Sequence, residues 1–178
     1  AARDLGALVD VVGAGSLDGA YSSFGPLNGE PDLGSVASAL ERLIRPSGRL
    51  VLGVMNRFYA LETVWYLLHG QPRRAARRWR GHAEAPVSFH LDALAPTWFH
   101  TPRALQRAFG PGFARLRCRA LPVLLPPPYL DDLWSRWPGL WARLSLWDDR
   151  LSAHWPFSAL GDHFVMVLQR RGKPAAPS

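Results

Sequence analysis

The chain has 178 residues, of which 48% are hydrophobic, and a formal net charge of +7. This length suffices for one domain with a buried core, and the hydrophobic content excludes an intrinsically disordered chain. No apolar run approaches the roughly 20 residues of a membrane-spanning helix, and the first residues lack the pattern of a signal peptide. Cys118 is the only cysteine, so no internal disulfide can form, which favours a reducing, cytoplasmic location.

The first third of the chain reads as helix, strand, helix and strand. Residues 3–12 are predicted to form a helix that a glycine ends, and residues 17–24 a short buried strand. Asp32 begins a second helix, and the continuous apolar run Leu50 to Met55 predicts a strand covered on both faces. A strand, a helix and a strand in this order indicate parallel strands, whose ligands bind at the carboxyl ends.

The rest of the chain is a long excursion followed by two further strands. An aromatic-rich helix is predicted from Phe58 to His69, then an arginine cluster, and then a short helix with Thr101 as its N-cap and Pro102 at its first position. The later predicted elements are a strand within 113–125, tryptophan-bearing helices within 129–160, and a final strand over 163–170.

A glycine pair in the segment Val11–Ser16 looks like the start of a dinucleotide-binding fingerprint. That fingerprint needs a preceding strand, a third glycine or alanine, and a following helix, whereas a strand is predicted to follow here. The pair is therefore interpreted as the end of the first helix.

Two segments together resemble the second half of a class I S-adenosylmethionine-dependent methyltransferase of the small-molecule type. They are Asp18-Gly-Ala-Tyr-Ser-Ser-Phe-Gly25, with Leu27-Asn28 after it, and Leu43-Ile-Arg-Pro-Ser-Gly-Arg-Leu-Val-Leu52. Looser similarity continues through Thr101-Pro-Arg and Gly161-Asp-His-Phe164. The resemblance implies an α/β fold: a partial Rossmann-like methyltransferase sheet with the last four strands and helical insertions. It also implies that the final strand is antiparallel and inserted between the fifth and sixth.

The first half of the family pattern is not found. Such enzymes begin with a strand, a glycine-rich turn and a second strand ending in the acid that binds the cofactor ribose, and none of these precedes Leu17. We expect residues 1–171 to be an incomplete domain lacking the N-terminal cofactor-binding half, and 172–178 to be a disordered tail. The strand over 17–24 would then lie at an open edge, where a missing N-terminal half or a second copy could bind.

The resemblance assigns the cofactor, S-adenosylmethionine, to the end of the first strand at Tyr21, Ser22 and Ser23. Alternatively, the serines merely allow a tight turn and Tyr21 is a core residue. Five residues are candidates for substrate binding because they follow strand ends or lie on the next helix: Asn28, Asn56, Arg57, Glu62 and Tyr66. Asn28 could instead be a turn former, and Glu62 could be a surface acid that pairs with an arginine.

No two histidines have the spacing of a metal site, and cysteine cannot complete one, so no metal is expected. His100 and His163 flank elements that should border the pocket. Either one could be the general base that deprotonates an acceptor, or a structural histidine at the end of an element.

The arginine cluster Arg73–Arg80 could bind phosphates, but no nucleic-acid motif accompanies it. A solvated helix face whose arginine stems cover Trp79 is the favoured interpretation, so no specific nucleic-acid partner is expected. The tryptophans between 134 and 155 could form an apolar wall for a hydrophobic substrate, lie at a membrane surface, or pack as a lid.

Three hypotheses for function follow. The first is methyl transfer from S-adenosylmethionine to a small-molecule acceptor, which could be lipophilic. A complete domain would carry out this reaction, and this chain, as one part of that domain, would be inactive alone. The second is a non-catalytic truncated fragment or binding module. The third is a peripheral membrane or nucleic-acid binder that uses the arginine cluster and the tryptophans.

Overall fold

A computed structural model of the chain describes residues 5–23, 25–88, 91–126 and 131–172. The strands within these ranges are β1 (Leu17–Ser22), β2 (Ile44–Met55), β3 (His82–Ser88), β4 (Leu91–Trp98), β5 (Phe113–Leu121) and β6 (His163–Arg170). The helices are α1 (Leu5–Val12), α2 (Leu33–Leu43), α3 (Ala60–Leu68), α4 (Pro72–Ala75), α5 (Pro102–Phe109), α6 (Asp131–Arg136) and α7 (Pro138–Leu151). Short 3-10 turns cover Pro26–Gly29, Arg78–Arg80 and Phe157–Ala159.

The main sheet has the strand order β1-β2-β6-β5. β1 and β2 are parallel, whereas β6 runs antiparallel to both of its neighbours, β2 and β5. The final strand is therefore antiparallel and inserted between two earlier strands, which confirms the predicted α/β class and the predicted place of that strand. The chain direction also brings the carboxyl ends of β1, β2 and β5 to one edge of the sheet, next to the start of β6.

Local sequence signals place the helix starts where they were predicted. The Asp32 side chain accepts hydrogen bonds from the backbone N–H groups of Gly34 and Ser35, at 2.8 and 3.3 Å, and so caps α2. Thr101 caps α5 in the same way by accepting from Ala104 at 3.1 Å, with Pro102 at the first helical position.

β2 begins earlier than the apolar pattern indicated, at Ile44, because the chain turns directly from α2 into the strand. Gly48 permits this entry: a Cβ atom there would lie 2.5 Å from Ile44 Cγ2 and 2.7 Å from the Asp18 carbonyl oxygen. Any larger residue would push β2 away from β1.

The core lies on one face of this sheet. Leu52 and Val54 of β2 stand directly opposite Met166 and Phe164 of β6. These four side chains and Leu50 are buried in one core with residues of α2 and α5. Each large apolar side chain buried in this way contributes about 1.5–3 kcal/mol to folding.

The opposite face of the sheet is more open. Tyr21 of β1 is 82% exposed and Val51 of β2 is 42% exposed. The prediction that β2 is covered on both faces is therefore wrong for Val51, and the alternative of Tyr21 as a core residue is also wrong. This second face is covered in part, because Gly53 is buried and Met55 is half-buried whereas Val51 is exposed.

A second, two-stranded sheet was missed from the sequence. β3 and β4 form an antiparallel pair with Ala83 opposite Thr97. Pro86 and Pro96 interrupt the two segments, and proline is poorly compatible with a strand interior, so the pattern did not indicate a hairpin. The pair carries the chain from the turn at Arg78–Arg80 back to the sheet at Trp98.

The edge strand β1 leads to a first prediction. In the described part of the chain β1 pairs with β2 alone, so its other side presents unpaired backbone groups. We expect the 178-residue chain to self-associate through this edge, and Tyr21→Lys to weaken the association because a charge opposes strand pairing. Light scattering measures the association, and hydrogen exchange over Leu17–Ser22 reports the pairing.

The matched control is Val11→Lys, which adds the same charge at an equally exposed position on α1. A monomeric chain with slow exchange over Leu17–Ser22 would contradict the prediction.

In the described part of the chain, no helix has the length and apolar character needed to cross a membrane.

Candidate functional site at the carboxyl ends of the parallel strands

The predicted cofactor residues lie at the end of β1, beside β2. Ser22 is opposite Leu52 in the parallel register. Its Oγ atom is buried and has no hydrogen-bond partner among the described residues, whereas the side chains of Tyr21 and Ser23 are exposed. A buried hydroxyl without a partner costs free energy, so a bound ligand that hydrogen-bonds to the Ser22 hydroxyl would be stabilised at this strand end.

Asn28 ties the loop after β1 to the end of β2. Its Nδ2 donates to the carbonyl oxygens of Met55 and Trp98, at 3.1 and 2.7 Å, and its Oδ1 accepts from the Met55 N–H at 2.8 Å. The side chain is buried and its amide is fully engaged with backbone groups. Asn28 therefore holds β2, β4 and the turn Pro26–Gly29 together, and its predicted contact with substrate stays a prediction.

Asn56 has a similar position one residue beyond β2. Its Nδ2 donates to the carbonyl oxygens of Phe58, Ala159 and Gly161, at 3.0, 2.8 and 3.1 Å. The side chain is completely buried, and its Oδ1 has no hydrogen-bond partner among the described residues. Asn56 thus joins the end of β2 to the segment that leads into β6.

His100 contacts the segment that directly follows β2. Its backbone forms an isolated bridge with Asn56, and its carbonyl oxygen accepts from the Arg57 N–H at 3.1 Å. Its ring Nε2 lies 3.2 Å from the carbonyl oxygens of both Leu27 and Glu30. Because carbonyl oxygens only accept, Nε2 must carry the proton, and the ring anchors the loop after β1.

Burial lowers the pKa of His100 below its ordinary value, and the hydrogen bonds to Leu27 and Glu30 oppose this shift only in part. The unfolded chain therefore takes up a proton at His100 at a higher pH than the folded chain does. We expect the free energy of unfolding to fall as the pH drops below about 6.5, the ordinary pKa of histidine.

His100→Gln should reduce this pH dependence, because the glutamine amide can donate to a carbonyl but cannot titrate in this range. Denaturant unfolding of both proteins at about pH 7.5 and about pH 5.5 measures the difference. An unchanged slope in the variant would show that other groups cause the pH dependence.

Three buried charged side chains meet behind this edge. Arg78 Nη2 lies 2.7 Å from Glu62 Oε2 and 2.7 Å from Asp162 Oδ1, and the three side chains are between 4% and 10% exposed. Arg78 Nη1 also donates to the Asp162 carbonyl oxygen at 3.1 Å. The rings of Tyr59 and Phe99 lie on the guanidinium, each with its centroid 5.5 Å away.

This cluster corrects two sequence interpretations. Glu62 pairs with an arginine as expected, but it is buried, so the alternative of a surface acid is wrong. The arginine cluster is not a uniformly solvated face, because Arg78 is buried inside the domain and Trp79 is about half exposed. The Gly70–Pro72 break changes the helical phase, so no spacing in the sequence singled out Arg78 from its neighbours.

His163 and Asp162 form a pair at the start of β6. His163 Nδ1 lies 3.2 Å from Asp162 Oδ2, and the imidazole is about four-fifths buried. Burial alone would raise the pKa of Asp162, but the hydrogen bond from His163 and the charge of Arg78 outweigh burial, so this pKa lies below its ordinary value. An ionised Asp162 accepts the Nδ1 proton and so fixes the orientation of the His163 ring. Asp162 was not singled out from the sequence, although it lies in the Gly161–Phe164 segment that carried the resemblance.

The two remaining predicted residues are Arg57, directly after Asn56, and Tyr66, on α3. Arg57 donates from Nε and Nη2 to the Trp79 carbonyl oxygen, at 3.1 and 2.6 Å. Tyr66 is on the side of α3 that faces α4, where the Arg74 guanidinium lies 5.9 Å from its ring centroid. The structure therefore gathers Asn28, Asn56, Arg57, His100 and His163 around the end of β2, and it sets Tyr66 apart from them.

An apolar groove lies between α3 and α7, next to this edge. Its volume is about 430 Å³, and its lining includes Leu61, Val64, Trp65, Leu68, Trp137 and Trp141. The opposite wall is held by Asp148, whose Oδ1 accepts from the N–H groups of Val123 and Leu124, at 2.7 and 2.5 Å. Trp137 and Trp141 therefore lie in the wall of an apolar groove, and their predicted contact with a hydrophobic substrate stays a prediction.

The described residues contain no group of three or more histidine, cysteine or acidic side chains that could hold a metal ion. Cys118 packs half-buried against the core, and burial raises the pKa of its thiol above the ordinary value, with Arg115 opposing the shift in part. This thiol is therefore a poor nucleophile at neutral pH.

No protein-family model matches the chain, and no curated protein matches it. Solved structures with a similar fold include the following two. An S-adenosylmethionine-dependent methyltransferase from Mesorhizobium loti has a TM-score of 0.52 and 14% identity, over 89% of this chain and 64% of that chain. A Listeria monocytogenes structure, assigned to the S-adenosylmethionine-dependent methyltransferases, has a TM-score of 0.53 and 9% identity, over 90% of this chain and 64% of that chain.

The chain thus spans slightly less than two thirds of the length of these two structures. Identities this low carry information on the fold and not on the acceptor. The strand order, the antiparallel β6 and these structural neighbours agree, and the chain has the fold of class I S-adenosylmethionine-dependent methyltransferases.

Proposed function

We propose that the chain is the C-terminal part of a class I methyltransferase domain, which transfers a methyl group from S-adenosylmethionine to a small acceptor. The observation that carries the proposal is the strand order β1-β2-β6-β5 with an antiparallel β6, together with the polar residues gathered where β1 and β2 end. In open α/β sheets this edge is where ligands bind. The extent of the domain over residues 1–171 and a cytoplasmic location are part of this proposal.

The residues present fit one side of the cofactor. The Oγ of Ser22, which has no partner among the described residues, and the exposed Ser23 could donate to or accept from the methionine end of S-adenosylmethionine, and the exposed Tyr21 lies beside them. The glycine-rich turn and the ribose-binding acid that the resemblance implies would hold the other side of the cofactor. When bound, the cofactor supplies the electrophilic methyl group.

His163 is the better placed of the two candidate bases. Asp162 orients the His163 ring through Nδ1 and would stabilise the imidazolium that forms when the ring takes the proton from an acceptor hydroxyl or amine. His100, by contrast, uses Nε2 to hold the loop after β1, and burial favours its neutral form. We therefore assign His163 as the base and His100 as a residue that positions the cofactor loop.

Substitution of Ser23 tests the cofactor site in the complete protein. Ser23→Leu should weaken S-adenosylmethionine binding about tenfold or more, because the bulky side chain removes a hydrogen-bonding group at the expected methionine end. Isothermal titration calorimetry measures the affinity, and thermal unfolding confirms that the variant is folded.

Ser16→Leu is the matched control, since Ser16 is also exposed and directly precedes β1, at the amino end of that strand. An unchanged affinity in a folded Ser23→Leu protein would place the cofactor elsewhere. A complete protein that neither binds S-adenosylmethionine nor transfers a methyl group would instead support the non-catalytic module.

A further inference from the structure

The apolar groove between α3 and α7 has the size and surface of a ligand site. Its volume of about 430 Å³ lies in the range of about 300–1,000 Å³ that is typical of small-molecule pockets. Its lining residues are aliphatic or aromatic, and none of them carries a formal charge. Such a surface selects for aliphatic or isoprenoid chains, whose burial is favourable in proportion to their length.

The groove is held open by contacts that do not depend on a ligand. Asp148 fixes the backbone of Val123 and Leu124, and the Tyr59 hydroxyl donates to the Leu125 carbonyl oxygen at 2.5 Å. The side chain of Asp148 is buried, so this wall is tied to α7 from inside the domain. Binding of an aliphatic ligand to a pre-formed groove loses less conformational entropy than binding to a surface that must first rearrange.

The inner end of the groove reaches the expected reaction site. Ala60, a lining residue, donates its N–H to the carbonyl oxygen of Leu160, another lining residue, at 3.0 Å. Asn56 at the end of β2 donates to the neighbouring Ala159 carbonyl oxygen, and His163 follows Leu160 by three residues. A ligand whose aliphatic chain fills the groove would therefore place its polar head near the carboxyl end of β2.

From these observations we infer that the groove binds the aliphatic chain of the methyl acceptor, so that the acceptor is a lipophilic molecule with a polar, methyl-accepting head. The assignment of this ligand as the acceptor rests on the proposed function, whereas its binding to the groove does not. The groove recognises only the aliphatic part of the acceptor, since it offers no charged partner to the polar head.

The test uses dodecanol and dodecanoate as probes, without S-adenosylmethionine, in isothermal titration calorimetry. Both probes should bind, with similar affinities, and shorter homologues should bind about fourfold more weakly for each methylene removed. Val64→Glu should weaken binding at least tenfold, because it places a charge in the groove at a position that is 54% exposed and so tolerates the change.

Leu67→Glu is the matched control, because Leu67 is on the same helix, is 51% exposed, and does not line the groove. It should bind both probes as the parent does. Trp137→Ala, at a half-exposed lining position, is a second variant that should weaken binding. Equal effects of Val64→Glu and Leu67→Glu, or no binding of either probe by the parent, would overturn the inference.

Two further outcomes separate the possible explanations. Binding of dodecanol by a complete protein that transfers no methyl group would uphold the groove while refuting the proposed function. Strong binding to phosphatidylglycerol vesicles, weakened equally by Val64→Glu and Leu67→Glu and accompanied by no binding of dodecanol, would show a membrane-docking surface instead of a chain-binding groove.

Discussion

Replacing Arg78 by leucine is expected to lower the free energy of unfolding by about 3–5 kcal/mol, because it leaves the buried Glu62 and Asp162 carboxylates without their cation. A loss of this size is a large fraction of the about 5–15 kcal/mol that stabilises a typical domain. Denaturant unfolding measures it directly. The change also removes the guanidinium that contacts the rings of Tyr59 and Phe99, so packing at this point should loosen as well.

Arg77→Gln is the control for this prediction. Arg77 Nη2 is 3.8 Å from Glu62 Oε1 and the Arg77 side chain is 43% exposed, so its loss should cost less than about 1 kcal/mol. Equal effects of the two substitutions would mean that burial does not set the strength of the cluster.

The pH dependence of the same cluster follows from Asp162. Because its pKa in the folded chain lies below the ordinary value, the stabilisation from its ionised form is present above about pH 4 and is lost as the pH falls through the folded pKa. The difference between the parent and Arg78→Leu should therefore shrink in acid.

The second large effect concerns catalysis. In the complete protein, His163→Gln should lower kcat for methyl transfer by about 10²–10⁴-fold, the usual contribution of a general base. Glutamine keeps a donor near Asp162 but cannot take up a proton, so the KM for the acceptor should change much less than kcat. Steady-state kinetics with labelled S-adenosylmethionine measures both values, and unfolding curves check that the variant is folded.

His154→Gln is the matched control, since His154 is an exposed histidine after α7, and it should leave kcat unchanged. If His163→Gln kept full activity, either His100 would be the base or the acceptor would need none. The corresponding His100→Gln variant distinguishes these two outcomes.

The local elements of the fold could be predicted from the sequence because each has a strong short-range signal. Asp32 and Thr101 cap the helices that follow them, and the alternating pattern of 163–170 matches β6. The order of strand, helix and strand implied parallel pairing, and the carboxyl ends of the strands then marked the edge where the polar residues lie. The β3–β4 pair was missed because its prolines weaken the strand pattern.

The roles of individual side chains were decided by tertiary contacts. Asn28 and Asn56 read as pocket residues, yet their amides bind backbone groups up to 105 positions away in the sequence, and only the folded chain brings those groups together. Arg78 looked like one of several surface arginines, but the break after α3 turns it inward to meet Glu62 and Asp162. Short-range patterns determine helices, strands and their ends. Partners of buried polar groups depend on contacts between distant segments, and no local pattern encodes which segments will meet.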